Sequence, residues 1–318
     1  MAEILRPMST GELMDRTFWL YKKNFQLFVG IASLGAASYL VFELLTISST
    51  SLRAGTAQRV NPFSAAYLGI GFLAGFLIMM AGMAIAHAAT VRAVAAVHLG
   101  LPIRIVDAYK SLKGRIWRVL GVFVGISLLA VVAVIAAALL IAIVIVMLRV
   151  LSIGSGPING GREAAIFSAL IGFAAILAIF VSAMVVWVRY ALAIACCVVE
   201  DLGVIKSIKR SAALSKGSRF RIFLIYTVFL ILGAVAAAAL GGLASVSSKL
   251  ISYVPARLVL ISLARFIASA LTGPLATIGI ALVYYDERVR KEAFDLQLMM
   301  NTLDSPAPPT NVAIPVQL

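Results

Sequence analysis

The chain has 318 residues, of which 62% are hydrophobic and only 13% charged, and it carries a formal net charge of +14. A mean hydropathy of +1.06 is more apolar surface than a water-soluble core can hide, so a soluble globular domain is excluded. The 27 Lys and Arg against 13 Asp and Glu flank the apolar runs and come with no zinc-finger, basic-zipper or RNA-binding signature, which points to an anionic membrane surface and away from nucleic acid.

The chain opens on MAEILRPMSTGELMDRTF, a polar stretch too long to be a signal-peptide n-region, so the first span is expected to stay as an uncleaved anchor. Ser9 and Glu12 form a capping-box pattern. The helix they start puts Leu13, Met14, Phe18, Tyr21 and Phe25 on one face and Asp15, Arg16, Lys22 and Lys23 on the other. Such a helix is expected along the inner leaflet, with aromatics near the acyl boundary and cations at anionic headgroups.

Six apolar runs follow, approximately Phe25–Ile47, Ala65–Val91, Val119–Leu148, Ala165–Val188, Ile222–Ala244 and Leu258–Val283. Each is long enough for a hydrocarbon core of about 30 Å. Continuous apolar runs in lipid satisfy their backbone groups only as helices, whereas a barrel shows short alternating segments. The Gly-rich run Gly154 to Gly161 lacks the Lys-Ser/Thr of a phosphate loop and reads as a turn. Residues 1–303 therefore read as one transmembrane domain, and 304–318 (DSPAPPTNVAIPVQL) as a Pro-rich, disordered cytoplasmic tail.

Twenty Lys and Arg lie on the side of the N-terminus, the second and fourth loops and the tail. Six lie on the other, namely Arg53, Arg59, Arg149, Arg162, Lys249 and Arg257. The positive-inside rule then places both ends in the cytoplasm, for a multi-pass protein of a bacterial inner membrane.

LKGRIWRVLG, from Leu112, resembles SKGSRFRIFL, from Ser215, and a weaker copy lies at YKKNFQLF, where Phe25 matches Trp117 and Phe220. Each copy is a basic, aromatic lead helix before two spans. The expected fold is an all-α polytopic bundle of about six transmembrane helices, in three two-helix repeats (about 8–91, 105–199 and 208–298) each preceded by an interfacial amphipathic helix.

GELMDRTFWLYKKNFQLF, IKRSAALSKGSRFRIF and ALVYYDERVRKEAFDLQ resemble the bacterial family known as the membrane domain of glycerophosphoryl diester phosphodiesterase, over about Met8 to Leu298. In some relatives that domain is fused to a barrel-shaped phosphodiesterase. A barrel needs about 200 residues or more, and this sequence leaves no room for one. The resemblance thus implies a membrane module rather than hydrolysis.

The site residues that stand out are few. Glu43 and Arg265 are charges within spans, expected at similar outer depth and able to pair or to snorkel outward. Lys22, Lys23, Phe25, Lys113, Arg115, Trp117, Lys216, Arg219 and Phe220 precede spans at matching positions and are expected to form a collar for anionic headgroups. Gly273 and Pro274 are expected to kink or break the last span. Gly71 and Gly75, Gly121 and Gly125, and the series Gly233, Ala237, Gly241, Ser245 are small residues spaced for helix packing. His87 and His98 have no carboxylate at metal-ligand spacing, and the adjacent Cys196 and Cys197 make no disulfide framework. Neither a catalytic site, a metal nor a cofactor is expected. The reading is a non-catalytic membrane module, a scaffold or lipid-associated partner of envelope proteins whose protein partner the residues do not identify. The alternative is a transporter or channel with a path near the last span.

Overall fold

The computed structural model describes residues 7–55, 62–98, 100–152, 162–247, 251 and 253–292. The tail 304–318, the turn at Gly154 to Gly161, Arg59 and Lys249 lie outside them. All regular structure among the described residues is helical: α1 (Thr10–Lys23), α2 (Phe25–Gly55), α3 (Pro62–His98), α4 (Ile105–Lys110), α5 (Ile116–Ser152), α6 (Arg162–Tyr190), α7 (Ala193–Val199), α8 (Val204–Leu214), α9 (Arg219–Ser247) and α10 (Val254–Glu292). Six stretches are long and apolar enough to cross a membrane, from Phe25–Ser48 to Val254–Glu292. The chain is an all-α membrane bundle.

The spans pair as hairpins, α2 with α3, α5 with α6 and α9 with α10, and the first and third hairpins pack on each other through α10. In α10, 61% of the most apolar stretch is buried, against at most 28% in any other span. It is therefore the central helix, while the others turn exposed apolar faces outward, as a lipid solvent permits.

Each hairpin is preceded by a short helix, and that helix docks on a neighbouring hairpin instead of its own. Helix α4 leads into the second hairpin and packs on α3 and α2 of the first. Helix α8 leads into the third and packs on α7 and α5 of the second. Helix α1 leads into the first and packs on α10 of the third. Glycines supply two of the seats. Gly30 lies under Ile105, the first residue of α4, and a Cβ on Gly121 would come within 2.8 Å of Val204, the first residue of α8. Gly30 and Gly121 are each the sixth residue of their span. The turn before each of the second and third hairpins holds a glycine at positive φ, +85° at Gly114 and +89° at Gly217, a conformation costly for residues with a Cβ.

Several sequence expectations need correction. The buried face of α1 is Leu13, Thr17 and Leu20, whereas Phe18 and Phe25 are 42% and 43% exposed. Helical spacing alone does not say which of two adjacent stripes meets protein and which meets the surroundings. The helix of the last span continues beyond Val283, and no break falls at Gly273 and Pro274, since α10 runs through them to Glu292. The break falls in the fourth span, at Ala191 and Leu192 between α6 and α7, with no Gly or Pro to announce it. Of the small-residue stripes, Gly121 and Gly125 take Val204 and Ile208 of α8, and Gly75 meets Leu45 and Phe42. Gly71 and Gly241 meet nothing within 4 Å.

Candidate functional site

One end of the bundle is laced by ion pairs, and the last turns of α10 supply most of them. The Asp286 side chain is fully buried and pairs with Arg221 of α9 and with Arg290 Nε at 2.8 Å. Its Oδ1 accepts from the Met8 backbone N–H at 2.6 Å, and the Arg221 and Arg290 guanidiniums donate to the Met8 carbonyl. Lys291 pairs with Glu287 at 2.9 Å and donates to the carbonyls of Leu214 and Lys216. Arg210 of α8 pairs with Glu200 at 3.0 Å and with Glu292, and Tyr284 donates to Glu200 at 2.8 Å. Burial pulls the Arg210 pKa down, but its hydrogen bonds and charge interactions with Glu200 and Glu292 leave it raised overall. This end is rigid by construction, because a buried charge is tolerated only with its partners in place.

The lead helices are tied down by hydroxyls donating to span carbonyls. Tyr109 of α4 donates to Ile31 O at 2.6 Å, Tyr21 of α1 to Leu271 O at 2.5 Å, and Ser211 and Ser215 to Arg189 O at 3.2 and 3.1 Å. Leu271 stands beside Ala270, whose carbonyl loses its helical donor to Pro274, and Arg189 O lies where α6 ends. The Tyr21, Ser211 and Ser215 hydroxyls thus go to carbonyls at or near helix irregularities, whereas Tyr109 caps a carbonyl inside regular α2. Burial pushes the Tyr109 pKa up to about 12 and keeps it a donor.

The collar residues divide. Phe25, Trp117 and Phe220 occupy the first or second residue of α2, α5 and α9 and are 43%, 84% and 75% exposed. Lys22, Lys23, Lys113, Lys216 and Arg219 are exposed beside them. None of these five cations has an ion-pair partner among the described residues, and Lys23 lies over the Trp19 ring, 4.7 Å from its centroid. Arg115 is different: its Nε meets Asp201 Oδ1 at 2.8 Å, as does Arg118 Nη1 at 2.9 Å. Asp201, with φ 54°, sits 83 positions from Arg118, so no local spacing announced it.

Glu43 and Arg265 are joined, Nη1 to Oε1 at 2.5 Å, with Arg265 half exposed and Glu43 largely covered. The other Glu43 oxygen is buried without a hydrogen bond.

Among the described residues, two neighbouring cavities open inside the bundle. The larger, of ≈ 660 Å³ empty volume including its mouth, is enclosed by α3, α5, α9, α10 and the α6–α7 break. The smaller, ≈ 350 Å³, lies between α2, α3 and α10 beside Gly273 and Pro274. His87 and Thr277 line both. His98, at the end of α3, lies against the Tyr285 ring at 5.4 Å. Among the described residues no group of three His, Cys, Asp or Glu is placed to hold a metal, and Cys196 and Cys197 are buried free thiols. In the sequence His87 has no carboxylate at metal-ligand spacing; the cavity it lines appears only when four hairpin helices and the break converge.

These features define a multi-pass α-helical membrane protein. Compared with protein families, curated proteins and solved structures, the chain matches none.

Proposed function

We propose that the chain is a non-catalytic module of a bacterial inner membrane, with both termini cytoplasmic, acting as a scaffold or lipid-associated partner of envelope proteins. Anionic headgroups would bind at its basic end. The observation that supports this reading is the sorting of cations there: Arg115, Arg118, Arg210, Arg221 and Lys291 are engaged by carboxylates, while Lys22, Lys23, Lys113, Lys216 and Arg219 stay exposed next to Phe25, Trp117 and Phe220. Free cations beside exposed aromatics at the starts of apolar helices are what an interfacial, anionic surface recruits. The resemblance to the phosphodiesterase membrane domain agrees with a membrane module and carries no hydrolytic machinery with it.

Each exposed cation near an anionic leaflet contributes about 1 kcal/mol. Native mass spectrometry of purified protein at fixed moderate salt should therefore show fewer retained anionic lipids in a Gln variant of those five cations than in the wild type. Equal retention by a correctly inserted variant would reduce the collar to a topology signal.

A transport path is the second reading, favoured by one observation. Two cavities meet at His87 and Thr277, next to Gly273 and Pro274 and to a broken span, and irregular backbone at membrane depth belongs where it lines a cavity. The mostly apolar lining of the larger cavity ranks this reading second.

A further inference from the structure

The larger cavity sits two to three helical turns in from the starts of α5 and α9, where Phe123, Ser127 and Tyr226 line it. Its enclosed space is ≈ 60 Å³, room for the polar end of a ligand whose chain continues through the mouth. No Asp, Glu, Lys or Arg lines it. At its inner wall His87, shared with the second cavity, has no hydrogen-bond partner among the described residues; its ring meets the Phe123 ring edge-on, centroids 6.5 Å apart. The Tyr226 hydroxyl also lacks a partner among them. Both are half-buried, and a polar group facing an apolar cavity without a protein partner is open to a hydrogen bond from whatever fills the space.

The seam between α6 and α9 is thinly packed compared with the other hairpin junctions. It is bridged by Trp187 stacked on Tyr226, centroids 6.0 Å apart and planes 17° from parallel. Trp187 is 37% exposed, so this stack separates the cavity from the surroundings of the bundle. Those surroundings are lipid for a chain of six apolar spans.

We propose that this cavity binds one uncharged, single-chain amphiphile bearing a hydroxyl, such as a long-chain alcohol or monoacylglycerol, admitted sideways between α6 and α9 past Trp187 and Tyr226. The hydroxyl meets the His87 imidazole, which offers one donor and one acceptor in its neutral form, and the alkyl chain lies on Phe123, Ile126 and Ile280. A charged headgroup or an ionised fatty acid finds no counter-charge there and is excluded on cost. A bare alkane leaves His87 unpaired. The site is separate from the basic end and does not rest on headgroup binding there.

The test uses the full-length protein in discs of zwitterionic lipid and a long-chain alcohol carrying a diazirine near its hydroxyl. Crosslinks should map to peptides containing Trp187, Tyr226 and Ala276, and excess unlabelled alcohol should abolish them. His87→Leu should lower labelling about five- to tenfold, the worth of one hydrogen bond to a buried partner. Ala276→Phe, which fills the cavity, should abolish labelling while keeping the wild-type elution on size exclusion; if that variant does not fold, His87→Leu and the competition decide. Labelling unchanged by His87→Leu would mean water partners the imidazole. That result, crosslinks confined to the lipid-facing surface, or equal labelling by an ionised fatty-acid probe would each overturn the proposal.

Discussion

At the scale of single residues, the same type of ion pair carries very different weight depending on where it sits. Asp286 is fully covered and answers two guanidiniums and a backbone N–H; removing it strands Arg221 in a site with 16% exposure. Asp201 is half exposed and its partners reach water. We therefore expect Asp286→Ala to destabilise the detergent-solubilised protein by about 3–5 kcal/mol, and Asp201→Ala by about 0–1 kcal/mol, as read from thermal unfolding. Equal losses would mean that the covered network is not what holds the basic end. The sequence displayed all these charges but not their pairing. Arg221 and Asp286 are 65 positions apart, and a count of cations beside spans treats Arg221 and Lys216 alike although one is locked and the other free.

At the scale of elements, what was legible followed from local chemistry. The Ser9–Glu12 capping box forms as the residues suggest, with Ser9 N donating to Glu12 Oε2 at 2.7 Å and Glu12 N to Ser9 Oγ at 3.3 Å. The Lys-Gly turn shared by the second and third lead helices folds to the same left-handed glycine in both. What was not legible depends on partners. The apolar run ends near Val283, yet the helix continues to Glu292, where Asp286, Glu287 and Glu292 are answered from α8, α9 or α10 itself. The break after Tyr190 is fixed by serines of α8 lying more than twenty positions later. A prediction belongs at this scale: Gly114→Ala and Gly217→Ala should each cost about 1–2 kcal/mol, because both demand positive φ. Gly172→Ala, in a helix with open space around it, should be neutral or slightly stabilising. Urea or thermal melts of the three variants make the comparison, and a harmless Gly217→Ala would remove the turn from the account of the repeat.

At the scale of the molecule, the three hairpins and their displaced lead helices form a closed cycle, each lead helix resting on the hairpin before it and the first resting on the last. With the proposed orientation, reporter fusions at Lys110 and Lys209 should report cytoplasm and fusions at Arg59, Gly156 and Lys249 the opposite side. A single inverted loop would sink the six-span topology.

The cycle also sets an order in time. Tyr21 hydrogen-bonds Leu271, 250 positions further along, so α1 has its seat on a span made long after it. At about 5–20 residues per second of synthesis, α1 waits roughly 12–50 s. During that interval its Leu13, Thr17 and Leu20 face lacks α10, its main packing partner, and the membrane surface is an apolar shelter. The docking of α1 is thus the clasp that shuts the ring, and a nascent chain released before α10 emerges lacks the seat on which that clasp closes.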